Sequence, residues 1–109
     1  MLAKLNRIKK KKDFETIFKK GKSLKSGFLV LRALKNDLKQ NRFAFVVSQK
    51  VSKKATARNK VRRRLSEIIK TNLKNIKDGF DIVFVALPGI EKKEFLEIKV
   101  AAEKLLNHV

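Results

Sequence analysis

The sequence contains no cysteine, tryptophan or tyrosine, and only one proline and one histidine in 109 residues. Without cysteine the chain forms no disulfide and no thiolate metal site, which fits a reducing compartment. The one histidine, His108, stands next to the C-terminus, where fraying is expected, so we interpret it as a tail residue rather than a base. The longest apolar run, Ile82 to Leu87, has the length of a strand, which is too short for a membrane span. These absences predict a cytoplasmic protein with no membrane partner.

Acidic side chains are few, with 10 against 29 lysines and arginines. A two-metal nuclease needs several carboxylates that converge on ions roughly 4 Å apart, and the acids here are scattered. Glu91, Glu94 and Glu97 share one predicted helix, but we interpret them as its solvated N-terminal face, favoured by the helix dipole. The sequence also lacks a phosphate-binding glycine motif, a nucleophile elbow and a histidine-based metal pattern. We therefore predict no catalytic residue and no metal site in the protein, and any phosphodiester chemistry must come from a partner.

What the sequence has in excess is positive charge, with a formal net charge of +19. Such an excess opposes the compact state by self-repulsion, which a bound polyanion would relieve. RNA or DNA is the leading candidate partner. The length and a hydrophobic content of 43% predict one RNA-binding domain over residues 1–109, with a modest core. Residues 1–12 form a basic N-terminal arm, which is either a disordered solubilising tail or a phosphate-contacting segment.

Hydrophobic periodicity and turn residues predict an α+β protein, an α/β two-layer sandwich of order αββ(β)αβα. Asp13 is expected to cap the first helix, and Gly21 to end it in the left-handed conformation. The first two strands are joined by a short link and are expected to pair as a hairpin. The sequence does not decide whether residues 49–55 hold a third strand. The predicted elements are helix 14–20, strand 28–34, strand 42–48, helix 56–75, strand 80–86 and helix 91–107.

The long helix, with Thr56 as its predicted cap, carries the most informative pattern. Its apolar stripe consists of Ala57, Val61, Leu65, Ile68 and Ile69. The opposite side gathers Asn59, Arg62, Arg63, Ser66 and Lys70. Four of the seven residues from Arg58 to Arg64 are arginines, whose planar fork suits phosphate better than a lysine does. The face is therefore either a phosphate-binding surface or an ordinary solvated charge run. A basic loop with Lys50, Lys53 and Lys54 precedes it.

Around this helix the sequence resembles a known family. Lys50, Ala55 and the run Arg58-Asn59-Lys60-Val61-Arg62-Arg63 are similar to the signature of the bacterial ribonuclease P protein component. That family carries Arg-Asn-Arg, an aliphatic residue and two basic residues on the N-terminal part of a long helix. Weaker similarities at residues 13–21, 45–50, 79–83 and 95–106 extend the resemblance over about residues 5–107.

Some positions depart from the family's pattern. Lys60 replaces an arginine, so the charge remains but the fork is lost. Arg32 occupies a position that is aromatic in some members, which affects base stacking. Ser66 stands where the family often has a further arginine. The remaining departures are Gln49 and Leu87, each of which replaces a common basic residue.

The resemblance implies a fold with a left-handed βαβ crossover, like that of the second domain of ribosomal protein S5, against the usual right-handed rule. It implies the accessory protein subunit of an endoribonuclease, ribonuclease P. In that holoenzyme an RNA that requires Mg²⁺ removes the 5′ leader of precursor tRNA. The implied partners are the catalytic RNA and precursor tRNA, with one protein per RNA and no DNA.

The resemblance and the basic pattern together give two sets of candidate site residues. The candidate RNA-binding residues are Lys50, Lys53, Lys54, Arg58, Asn59, Lys60, Arg62, Arg63 and Lys70. The candidate leader-cleft residues are Phe14, Phe18, Phe45 and Arg32. Phe14 and Phe18 stand four apart on one helix face and are either core residues or leader contacts.

Two other classes of function compete with this interpretation. A structural ribosomal protein has similar charge and size, although long disordered tails, typical of that class, are lacking here. A DNA-binding transcription factor is a weaker alternative because there is no clean helix-turn-helix pair.

Overall fold

The structure, a computed structural model, describes residues 7–38 and 40–109. The part of the predicted arm that precedes Arg7 lies outside the described residues. Two short 3₁₀ turns, Leu73–Asn75 and Ile90–Lys92, follow the long helix and precede the last one. The principal elements are α1 (Lys11–Lys20), β1 (Lys22–Ser26), β2 (Leu29–Lys35), β3 (Arg42–Val46), α2 (Ala55–Asn72), β4 (Phe80–Ala86) and α3 (Phe95–Leu106). The α+β class is confirmed.

The four strands form one mixed sheet in the order β1-β2-β4-β3. β4 pairs antiparallel with β2, with Leu31 opposite Phe84, and parallel with β3, with Phe43 opposite Ile82. The first two predicted strands correspond to β2 and β3. The hairpin predicted between them is therefore wrong, because β4 lies between β2 and β3. The almost continuous apolar sequence of β4 suits this central position, where both faces are covered. The parallel strands β3 and β4 are joined by α2 in a βαβ unit, whose left-handed crossover stays a prediction.

The structure contains one strand more than the three predicted ones. It is β1, which precedes β2 in the chain, and it does not lie in residues 49–55, where the sequence left a third strand open. β1 is a short edge strand, Lys-Ser-Leu-Lys-Ser, with one partly buried apolar side chain, Leu24. Ser26 pairs with Leu29, so the turn has two residues and Gly27 adopts a φ of 55° there. Residues 49–54 form a turn and a bend instead of a strand, and Ala55 already begins α2. The weak apolar content of β1 explains why its sequence alone did not predict it.

The two faces of the sheet carry separate apolar clusters. Phe43, Phe84 and Leu31 point to the side covered by α2 and α3, where Leu65 and Ile98 are fully buried. Val83 points to the opposite side, where it packs with Ile17 of α1 and with Ile8. Because successive residues of a strand point to opposite faces, α1 and the pair α2–α3 lie on opposite sides of the sheet.

Local details correct the predicted helix ends. α1 starts at Lys11 and α2 at Ala55, and neither has a side-chain cap, so Asp13 and Thr56 are not the caps. Gly21 has a φ of −75° and is not left-handed. Glycine is needed there because a Cβ would lie 2.4 Å from the carbonyl oxygen of Ile17. Phe95, the first residue of α3, is 39% exposed.

An ion pair holds α1 and two strands together. Arg42 Nε and Nη2 donate to the two carboxylate oxygens of Asp81 at 2.8 and 2.6 Å, and Nη1 lies 3.4 Å from Asp13 Oδ2. Asn36 Nδ2 donates to the same Asp81 carboxylate at 2.7 Å. The hydrogen bonds that Arg42 donates to Asp81 raise the pKa of Arg42 above its ordinary value. The bidentate geometry makes this a strong contact between neighbouring strands.

Candidate nucleic-acid interface

The predicted faces of the long helix are confirmed in most positions. Val61, Leu65, Ile68 and Ile69 are buried in the core, and Ala57 is half-buried. On the outer side, Asn59, Lys60, Arg63 and Lys70 are exposed, as is the one acid of the helix, Glu67. Ser66 is the exception, because it is only 5% exposed although the helical period placed it among the cations. Ser66 lines one cavity together with Phe43 and Phe45 of β3, and the sequence of the helix alone does not contain that proximity.

At the N-terminal half of α2, an amide orients one arginine. Arg62 Nη1 donates to Asn59 Oδ1, three residues earlier. Together with Thr56 and Arg63, these two side chains line an open groove along the helix. The hydrogen bond uses one of the five guanidinium N–H groups, which leaves the rest of the fork for an acceptor such as a phosphate oxygen.

Arg58 has a different contact. Its Nη1 donates to the carbonyl oxygens of Ser52 at 2.9 Å and Lys53 at 3.0 Å. These bonds tie the preceding basic loop to the first turn of α2. The loop is further shaped by Ser52 Oγ, which accepts from the backbone N–H of Lys54 at 3.2 Å. The lysines of the loop, Lys50, Lys53 and Lys54, are all exposed. Arg58 therefore positions a row of lysines beside the helix.

An apolar cavity of about 240 Å³ opens beside this face, between α1, β3 and α2. Its walls are Ile8, Phe14, Phe43, Ala44 and Phe45, and its polar lining is Arg7, Arg62 and Ser66. Phe45 also stacks on Phe84, with the ring centroids 6.2 Å apart. The cavity thus brings two candidate leader-cleft residues, Phe14 and Phe45, together with Arg62 of the candidate RNA-binding set.

Arg7 is a cavity residue that the sequence did not single out. The described end of the arm runs parallel to β3, with Arg7 opposite Phe43 and the N–H of Ile8 donating to the Phe43 carbonyl at 2.9 Å. Arg7 Nε is buried and has no hydrogen-bond partner within the described residues. The sequence did contain a signal that this part of the arm packs on the sheet. Ile8 is the one apolar residue in a basic run, and Ile8 is only 6% exposed.

The other two candidate leader-cleft residues lie together elsewhere. Arg32 on β2 places its guanidinium carbon 5.3 Å from the centre of the Phe18 ring, and its Nη1 donates to the Phe18 carbonyl at 2.9 Å. Phe18 is 40% exposed, whereas Phe14 is half-buried against the Ile17 cluster. The two phenylalanines of α1 thus differ: Phe14 belongs to both core and cavity, and Phe18 to an exposed cation–π pair.

The described ranges contain no group of three or more His, Asp or Glu side chains placed to hold a metal ion. The carboxylates of Glu91 and Glu97 have other contacts. Glu91 accepts a hydrogen bond from the backbone N–H of Gly89 at 2.9 Å, and Glu97 lies 3.9 Å from Lys93 Nζ. No helix in the described residues is long and apolar enough to cross a membrane.

Comparison with known proteins gives one consistent result. The family model of ribonuclease P matches residues 2–109. The chain is 36% identical to the ribonuclease P protein component of Caldanaerobacter subterraneus over 98% of this chain and 91% of that one. It is 39% identical to that of Clostridium botulinum, over 95% and 94%.

Solved structures agree with the sequence relatives. The ribonuclease P protein of Thermotoga maritima superposes with a TM-score of 0.87 at 34% identity, covering 94% of this chain and 96% of that one. A Staphylococcus aureus ribonuclease P protein superposes with a TM-score of 0.87 at 31% identity, covering 94% and 93%. Sequence similarity and fold thus extend over nearly the whole length, and the chain belongs to the family of bacterial ribonuclease P protein components.

Proposed function

We propose that the protein binds the catalytic RNA of ribonuclease P and the 5′ leader of precursor tRNA, and assists the Mg²⁺-dependent, RNA-catalysed cleavage that gives the mature tRNA 5′ end. One observation carries the proposal: the cationic face of α2 leads directly into the arginine-lined cavity between α1, β3 and α2. A charged track beside an apolar recess suits a single strand, which has phosphates on one side and unstacked bases on the other.

The phosphate contacts would come from α2 and its loop. Arg62 and Arg63 present guanidinium groups in one groove, and the lysines held by Arg58 extend the positive surface. Each phosphate neutralised releases counterions, so this face supplies affinity and orientation without reading sequence. We assign these contacts to the catalytic RNA and to the part of the leader next to the cleavage site.

The leader bases have two candidate stacking places. One is the cavity with Phe14 and Phe45, and the other is the exposed pair of Phe18 and Arg32. Unpaired bases stack on aromatic rings and on arginine planes with little regard to sequence. Here the guanidinium of Arg32 takes over the stacking surface that an aromatic residue would provide. Such contacts suit a subunit that must accept many different leaders.

In this proposal the magnesium ions are held by the RNA. The side chains of the protein would act on them indirectly, because they hold the leader phosphates beside the RNA against their mutual repulsion. The two sets of phosphates together would then attract Mg²⁺ more strongly than the RNA alone. One protein per RNA and a cytoplasmic location are part of the same proposal.

The test is reconstitution with ribonuclease P RNA and a precursor tRNA in Mg²⁺. We expect Arg62→Ala/Arg63→Ala to weaken holoenzyme assembly or precursor binding, and Lys77→Ala, beyond the opposite end of α2, to leave both unchanged. The protein free of RNA should cleave nothing. Cleavage by RNA-free protein, or equal behaviour of the two variants, would overturn the assignment.

A further inference from the structure

An ion pair joins α1 to β3 directly beside the cavity. Asp13 is the residue before Phe14 on α1, and Arg42 is the residue before Phe43 on β3. Both phenylalanines line the cavity. Arg42 Nη1 lies 3.4 Å from Asp13 Oδ2, and we call this contact the α1 anchor. The α1 anchor therefore links two walls of the cavity at the residues next to those walls.

Arg42 is fixed independently of α1. Its Nε and Nη2 donate to the two carboxylate oxygens of Asp81 on β4, a residue that is only 5% exposed. Asn36, which follows β2, donates to the same carboxylate. A surface ion pair ordinarily contributes little, in part because two long side chains must both be ordered. In the α1 anchor the guanidinium is already ordered by β4, so only the shorter Asp13 side chain loses freedom.

The first turn of α1 depends on this contact. Residues 10–12 are three consecutive lysines at the start of the helix, where the helix dipole favours anions, and no side chain caps that end. Asp13 is the acid of the first turn. Ile17, the buried side chain of α1, lies one turn further along the helix. Without the α1 anchor, the first turn is free to move away from β3 and to carry Phe14 with it.

We infer that Asp13 and Arg42 are positioning residues for the leader of precursor tRNA, because their ion pair holds the first turn of α1 against β3 and so keeps Phe14 at the wall of the cavity. The inference rests on the leader site proposed above. If only a fraction of the molecules has the first turn docked, the apparent leader affinity falls by that fraction. The α1 anchor thus acts on leader affinity through Phe14, without touching the leader.

Asp13→Asn gives the inference a sign that charge alone does not. The change keeps the shape of the side chain, leaves the pair of Arg42 and Asp81 intact and removes one negative charge from a chain that binds a polyanion. By charge alone the variant should bind RNA slightly more tightly. Loss of the α1 anchor should instead weaken binding of precursor tRNA with a leader of several nucleotides by about two- to fivefold, the range for a partly exposed ion pair.

The test uses the holoenzyme reconstituted with ribonuclease P RNA in Mg²⁺, at one fixed salt, with precursor tRNA and leaderless tRNA as ligands. Asp13→Asn should weaken binding of precursor tRNA only, and the cleavage rate at saturating precursor should equal that of the parent. Asp13→Glu, which restores a carboxylate, should recover most of the affinity. Glu15→Gln removes the same charge from an exposed position of α1 and should weaken neither ligand.

Hydrogen exchange of the free protein tests the α1 anchor in the absence of RNA. In Asp13→Asn the backbone amides of α1 should exchange faster than in the parent chain, whereas those of α2 and α3 should exchange at the parent rate. The melting temperature should change little, because the core and the pair of Arg42 and Asp81 are untouched.

Three results would overturn the inference: α1 amides of Asp13→Asn that exchange at the parent rate, precursor binding that is not weakened, or an equal loss of affinity for both ligands. Arg62→Ala/Arg63→Ala then shows whether the proposed function fails as well. If that variant still weakens precursor binding, only the positioning role of the α1 anchor is wrong. If it does not, the proposed function is wrong too.

Discussion

α2 and α3 pack side by side on the same face of the sheet, yet their outer faces differ completely. α2 carries six basic side chains and one acidic one, whereas α3 carries two of each. The inner faces are alike, with Leu65 and Ile98 each fully buried. Packing on the sheet therefore constrains only half of each helix. The outer half is free to match a partner, which we propose is RNA for α2.

The largest effect should come from a charge on an inner face. Leu65→Asp buries an unpaired carboxylate at a fully enclosed position, which costs several kcal/mol and is comparable with the whole stability of a small domain. We expect the variant to be unfolded or to melt far below the parent chain, as followed by circular dichroism. Val100→Asp is the matched change on an outer face and should shift the melting temperature little. Similar melting of the two would mean that the faces are wrongly assigned.

The next effect concerns the two outer faces. Arg62→Ala/Arg63→Ala removes two candidate phosphate contacts on α2 and should weaken RNA binding about tenfold or more at fixed salt. Lys99→Ala/Lys104→Ala removes the same charge from α3 and should change RNA affinity much less. Filter binding or fluorescence anisotropy with ribonuclease P RNA gives both numbers. If both pairs weaken binding equally, only net charge matters and the face of α2 has no special role.

Salt dependence sharpens the same contrast. RNA affinity should fall steeply with salt, with a slope of log affinity against log salt of about −0.7 to −0.9 for each phosphate neutralised. Arg62→Ala/Arg63→Ala should make the slope shallower by about one for each arginine that neutralises a phosphate in the parent complex. A slope near zero for the parent chain would contradict an electrostatic interface on α2.

A smaller effect distinguishes two arginines on α2. Arg58 holds the loop carbonyls of Ser52 and Lys53, whereas Arg63 is an exposed side chain of the groove. Arg58→Lys keeps the charge but loses the fork, so we expect faster proteolysis within residues 50–54 and weaker RNA binding. Arg63→Lys should leave proteolysis of the loop unchanged. Equal cleavage of the two variants would show that Arg58 does not organise the loop.

The smallest expected effect is at Phe18, outside both helices under comparison. Removing a stacking ring costs roughly 1–3 kcal/mol per base. Phe18→Ala in the holoenzyme should therefore weaken binding of precursor tRNA with a leader of several nucleotides and leave leaderless tRNA nearly unchanged. Phe95→Ala, a similarly exposed ring at the start of α3, is the control and should affect neither ligand. A parallel decrease in affinity for both ligands would remove Phe18 from the leader site.

The sequence by itself determined the features that depend on neighbours along the chain. The stripe of Val61, Leu65 and Ile68 follows from the helical period, and the limits of β4, Phe80–Ala86, agree with its apolar run. The family signature on α2 is likewise a local pattern. Each of these is written in consecutive residues, because helix faces and buried strands have fixed periods.

The tertiary structure alone decided what depends on residues distant in the chain. β4 enters between β2 and β3, a choice made by burying its two apolar faces and not by the short link that suggested a hairpin. Ser66 is buried beside the cavity that β3 lines, and Arg7 joins that cavity because the arm pairs with β3. The guanidinium of Arg58 donates to the loop that precedes its own helix. Phe14 lines the cavity, whereas Phe18 lies on the surface. Side-chain spacing specifies a face, but only the neighbouring elements specify what that face meets.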